Sequence, residues 1–144
     1  MSHVLSEDAK LYYNAGTYGG PTWTEITNVK DLTLNLEKDE IDVTTRASGG
    51  YKEFADGLID ASIEWGMLWD TTDAAFTAIR TAFFAKTAVE FLVLDDTSTS
   101  GQGLRATCMI KSFTRNENLA EALMVNVTVR PVKNSNASPT WYGT

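Results

Sequence analysis

The feature that most constrains this chain is a two-residue hydrophobic period that recurs along it. Ile59, Ala61, Ile63, Trp65 and Met67 alternate with Asp60, Ser62, Glu64 and Gly66. Successive side chains on a strand point to opposite faces, so this pattern predicts a strand with one apolar and one polar face. Leu104, Ala106, Cys108 and Ile110 repeat it against Arg105, Thr107 and Lys111, and residues 123–130 repeat it again with Val125, Val127 and Val129. Leu32, Leu34 and Leu36 alternate with Thr33, Asn35 and Glu37. The charged segment 37–40 reads as a turn, after which Ile41 and Val43 resume the alternation. Residues 89–94 are apolar nearly throughout, as expected of a strand covered on both faces.

Only DTTDAAFTAIRTAFFAK reads as a helix, over about 73–85. Asp70 or Thr72 can cap its start, and Asp73 suits the first turn. Phe76, Ile79 and Phe83 fall on one stripe of a 3.6-residue period. Six strands in runs with one helix inserted define a β-rich α+β fold, a small antiparallel β-sandwich or barrel with one flanking helix. Residues 1–22 give weak signals, with a glycine-rich turn at 16–21. Pro131 has no N–H for a ladder and should end the last strand. The expected organisation is a single domain over 1–132 and a polar C-terminal tail over 133–144, free until something binds it.

Composition removes most chemistry. The chain has 144 residues and a net charge of −7, a poor balance for gripping a phosphate backbone, whose affinity comes from Lys and Arg. One Cys excludes an internal disulfide and a cysteine zinc site, and one His near the start argues against a nucleophile–histidine arrangement. No phosphate-cradling glycine motif precedes a helix. The carboxylate pairs Asp39/Glu40 and Asp95/Asp96 read as solvated turns, and the 95–98 run lacks the spacing of a calcium loop. Cys108, on an apolar strand face, reads as a small buried hydrophobe. Trp65 and Trp69 flank the helix start and read as core or interface. No run approaches the ~18 apolar residues of a membrane helix, and the N-terminus lacks a signal-peptide core. The expectation is a soluble, non-enzymatic protein without cofactor or metal, of a kind suited to an assembly.

From about Asp8 to Pro131 the chain resembles the major tail tube proteins of long-tailed, non-contractile bacteriophages. The resemblance rests on DAKLYYNAGTYGGPTWTEITNVKDLTL, on EIDVTTRASGGYKEFADGLIDASIEWGMLWDTTDAAFTAI, and on a last strand ending VTVRP. It implies a β-sandwich or barrel with one helix, assembled as hexameric rings stacked into a tube that delivers phage DNA. It also implies partners: other copies of itself, a tape-measure protein, and tail terminator and distal tail proteins. DNA would pass without specific binding, and the protein would reside in the virion tail after assembly in the host bacterial cytoplasm. Tubes of contractile tails and of secretion systems share this fold and form the near alternative. A β-sandwich binding carbohydrate or another ligand is the alternative from a different class.

Two groups of residues stand out. Residues 44–56 are longer than a hairpin loop, and connections of this length are usually functional. Arg46, Gly49, Gly50, Tyr51, Lys52 and Phe54 make this segment a candidate contact between subunits or rings, since Arg and aromatic residues are enriched at interface hot spots. Asp60, Ser62 and Glu64 share a polar strand face that faces either the lumen of a tube or outer solvent.

Overall fold

The computed structural model describes residues 9–117, 119, 122–132 and 139–143. Eight strands and one helix run in the order β1 (Lys10–Asn14), β2 (Trp23–Glu25), β3 (Val29–Asp42), β4 (Phe54–Leu68), α1 (Ala74–Ala85), β5 (Val89–Leu94), β6 (Gly103–Asn116), β7 (Met124–Pro131) and β8 (Thr140–Tyr142). Every pairing is antiparallel. The spatial order is β2-β1-β5-β6-β7-β4-β3, with β8 added on β6. The β-rich α+β fold therefore takes the form of one sheet curled into a half-barrel, with a helix against it.

Period-two patterning places the core. Ala61, Ile63, Trp65 and Met67 of β4 join Leu104, Ala106, Cys108 and Ile110 of β6 and the three valines of β7 in one buried cluster. Phe76 and Ile79 of α1 are fully buried in it, and Phe83 packs at its margin. Asp73 is the residue that caps α1, its carboxylate accepting from the Phe76 N–H at 3.2 Å. Asp70 instead accepts from Thr72, in the turn before it. On β5, Phe91 and Val93 face the main core while Leu92 and Leu94 face a second cluster with Tyr12. That explains why the strand is apolar on both faces.

Four expectations are corrected. Residues 37–40 are not a turn: β3 runs unbroken to Asp42, with a register irregularity between Lys38 and Glu40. Ile59 does not join the core but is 66% exposed. The weakly patterned N-terminal stretch contains β1, whose Leu11, Tyr12 and Tyr13 are all buried. The C-terminal segment is not wholly free, because Thr140–Tyr142 pair with Gly103–Arg105. On β6, β7 pairs only from Cys108 onward and β5 holds the other edge of 103–108, so β8 takes the backbone groups β7 leaves open. Residues 133–138 of the expected tail lie outside the described residues.

Candidate assembly surface

Among the described residues the outer edge of β3 is a long stretch of unpaired strand backbone. β3 ends the strand order, so its fourteen residues pair on one side only, with β4. A long free edge is a template for another strand, and soluble proteins normally shorten or cover it. β4 pairs with β7 only from Ile63 to Leu68. The β3–β4 ladder continues past that point to Asp42 opposite Phe54, so residues 36–60 project as a two-stranded ribbon. A two-stranded ribbon is marginal alone in water.

This ribbon carries an apolar surface. Leu36, Ile41, Phe54, Leu58 and Ile59 are all exposed, Leu58 at 81%. Exposed apolar patches of this kind mark interaction sites. Gly57 lets the ladder step past its irregularity, because a Cβ there would sit 2.6 Å from the Asp39 carbonyl oxygen. A groove of about 700 Å³ lies at the ribbon's base, lined by Leu36, Ile59, Leu104 and Trp141 among others.

The connection at the ribbon's tip is shorter than expected, spanning 43–53, and Phe54 belongs to β4. It is also built. Thr45 caps the single 3₁₀ turn Arg46–Ser48, its backbone N–H donating to the Ser48 hydroxyl at 3.0 Å. Gly49 and Gly50 follow with φ of 67° and 90°, left-handed conformations that favour glycine. Asp42 accepts from the Thr44 N–H at 2.9 Å, and these Thr44 hydrogen bonds hold its carboxyl below the usual carboxylate range. Thr44 in turn accepts from the Glu53 N–H at 2.8 Å and thus ties the two strand ends together. Tyr51 and Lys52 are left exposed at the tip, Tyr51 at 78%. The structure thus brings Arg46, Gly49, Gly50, Tyr51, Lys52 and Phe54 to one end of one projection.

Asp60, Ser62 and Glu64 lie on the sheet face opposite the helix. Register places Glu37, Asn35 and Thr33 beside them on β3, and Thr128 opposite Glu64 on β7. Ser62 accepts from the Asn35 amide at 3.3 Å. Asp60 forms an ion pair with Arg130. Among these residues Glu37, Asp60 and Glu64 outnumber Arg130, which Asp60 already holds.

Among the described residues no group of three or more His, Cys, Asp and Glu is placed to hold a metal. Cys108 is fully buried, and burial pushes its thiol up to about 12. None of the described helices is long and apolar enough to cross a membrane. Sequence reasoning singled out the tip but missed Leu36, Ile41, Leu58 and Ile59 as surface apolar residues. Their signal was the acidic interruption at 37–40, which is what an alternating strand looks like when neither face meets its own core.

A free strand edge and an exposed apolar projection are features of a subunit that assembles with other chains. Residues 6–129 match the family described as phage tail tube protein, and this chain belongs to that family, whose role in the virion tail is structural. Solved structures share the fold. The virion of a native gene transfer agent particle contains a chain 15% identical with a TM-score of 0.75, covering 96% of this chain and 98% of that one. The tail of an empty gene transfer agent particle, with C6 symmetry, contains one 17% identical with a TM-score of 0.73, covering 90% and 95%. The SPP1 tail tube contains one 12% identical with a TM-score of 0.73, covering 99% and 80%. No curated protein sequence matches significantly.

Proposed function

We propose that six copies of this chain close into a ring, and that the rings stack into the tail tube through which phage DNA is delivered. The observation that carries this reading is the unpaired outer edge of β3 with its apolar ribbon. A ring in which each β3 meets a neighbouring copy closes that open edge. Sixfold closure is supported by the C6 symmetry of the gene transfer agent tail that shares the fold. The tip of the ribbon, with Arg46, Gly49, Gly50, Tyr51, Lys52 and Phe54, contacts an adjoining subunit or ring.

The polar face with Asp60, Ser62 and Glu64 lines the bore. Lys and Arg there would hold DNA by counterion release, whereas carboxylates and hydroxyls leave it hydrated and mobile. The excess of acids and the Asp60–Arg130 pair fit that task. The remaining partners are a tape-measure protein inside the tube and terminator and distal proteins at its ends, with assembly in the host bacterial cytoplasm. Electron microscopy of the purified protein tests the reading. Rings or tubes of uniform diameter are expected, and a persistent monomer under all assembly conditions would overturn it.

A further inference from the structure

We propose that the outer face of α1, with Arg80 and Phe84 on it and Lys86 at its C-terminal cap, is the docking surface for the β3–β4 ribbon of a second copy of this chain. The proposal rests on the tube reading and adds to it the surface that receives the ribbon.

Phe84 is 74% exposed, yet it stands at the end of a chain of aromatic contacts rooted in the core. Its ring meets Phe83 at 5.3 Å, Phe83 stacks on Phe113 at 6.2 Å, and Phe113 meets the buried Phe76 at 5.7 Å. It is therefore an exposed aromatic beside the aromatic cluster of the core, the kind of residue that anchors interfaces.

Charge selects the partner. Residues 74–88 contain Arg80 and Lys86 and no acid, in a chain of net charge −7. Neither cation has an ion-pair partner among the described residues. Arg80 sits one turn from Phe84 on the same helix face. The ribbon is the reverse: residues 36–60 hold seven carboxylates against Lys38, Arg46 and Lys52, a net charge of −4. It also carries the exposed Ile41, Phe54 and Leu58. The two segments are thus opposite in sign, and each exposes apolar side chains.

Position along the sheet separates α1 from the tip of the copy's own ribbon. Phe83 stacks on Phe113, which pairs with Val127, which pairs with Trp65. Phe84 thus lies near the level of Trp65 on β4, eleven residues from Phe54 and about 36 Å from it at ~3.3 Å per residue. A copy displaced along the strand direction brings its ribbon to that level. Such a contact joins two different surfaces, and between copies displaced along the strand direction it does not close on itself, so it builds a stack.

Paired charge reversal tests this. One variant carries Arg80→Glu with Lys86→Glu, a second carries Glu40→Lys with Glu53→Lys, and a third carries all four changes. All positions are exposed, and melting curves matching wild type establish that each variant folds. Tubes are measured by sedimentation and electron microscopy at low and high salt. The expected result is loss of tubes in each double variant and their return in the fourfold variant. Normal tubes from the helix variant would overturn the proposal, as would a folded fourfold variant that stays unassembled. So would a helix variant that builds normal tubes but fails to bind another tail protein, since the face would then belong to that partner. Wild-type protein that forms neither rings nor tubes would overturn the tube reading itself, a separate result.

Discussion

Arg105 and Glu90 form a two-pronged ion pair, with Arg105 Nε donating to Glu90 Oε2 at 2.6 Å and Nη2 to Oε1 at 3.2 Å. The pair is enclosed on the face of the sheet away from the main core. Nη2 also donates to the Tyr18 carbonyl at 2.8 Å, Asn14 donates to the Glu90 carboxylate at 2.7 Å, and the guanidinium lies 4.2 Å from the Tyr18 ring centroid. The hydrogen bond to Glu90 raises the Arg105 pKa above its ordinary value. The network pins the 15–22 loop to β5 and β6.

Removing one partner strands the other charge. Glu90 has a side-chain exposure of only 6%. Arg105→Ala should therefore cost about 3–5 kcal/mol, the usual penalty for leaving a buried charge unpaired. Urea unfolding of the unassembled protein measures it. A loss below ~1 kcal/mol would show that water reaches the carboxylate.

Two phenylalanines on one helix should behave oppositely. Phe76 is fully buried and Phe84 is exposed. Phe76→Ala should destabilise the subunit by about 3–5 kcal/mol. Phe84→Ala should leave subunit stability within ~0.5 kcal/mol, as surface substitutions generally do, yet reduce tube yield. Denaturation and sedimentation of the same two variants give both readouts.

Most of the core was legible in the sequence because it follows one rule. β4, β6 and β7 each have one face in water and one in the core, so their letters alternate. β5 lies apolar on both sides and was legible from that run. The signal failed where burial does not follow alternation. β1 buries Leu11, Tyr12 and Tyr13 in succession, so it shows no period. The outer half of β3 is exposed on both faces, so no core contact patterns its residues and they read as a charged turn. β8 is three residues long and owes its strand conformation to the open edge of β6, a non-local fact. The ribbon tip was legible from Gly49-Gly50 and its aromatic residues, but its projection from the sheet depends on where β7 stops pairing with β4.

Cys108 should resist thiol reagents. Burial raises its pKa to about 12 from 9.0, so the thiolate is scarce in folded protein at pH 8. A raised thiol pKa also means that stability is full below the unfolded value and declines as pH rises from about 9 toward 12. Alkylation at pH 8 should be slow in native protein and fast in urea. Equal rates would place the sulfur at the surface.

The ribbon tip should loosen in acid. The Asp42 carboxyl is held below its ordinary value by the hydrogen bonds from Thr44, so their contribution is present above the normal carboxylate range and lost as pH falls through the lowered value. Amide exchange at Thr44 and Glu53 should increase in that window, corrected for the intrinsic pH dependence of exchange. Asp42→Asn should abolish the pH dependence, and an unchanged profile in that variant would remove Asp42 from the account.

Reversing the polar face should separate assembly from delivery. Asp60→Lys with Glu64→Lys changes exposed positions of a wet face, so rings should still form. Arg130 loses its partner and the bore gains cations, so genome release should slow, most at low salt where screening is weakest. Release at wild-type rate at every salt concentration would remove this face from the lumen.

The most direct test of the central claim is a cryo-electron microscopy reconstruction of the assembled protein, read at the outer edge of β3. The account predicts hydrogen bonding of Val29–Asp42 to another copy, with Ile41, Phe54 and Leu58 covered. A tube in which that edge and those side chains remain in solvent would contradict it.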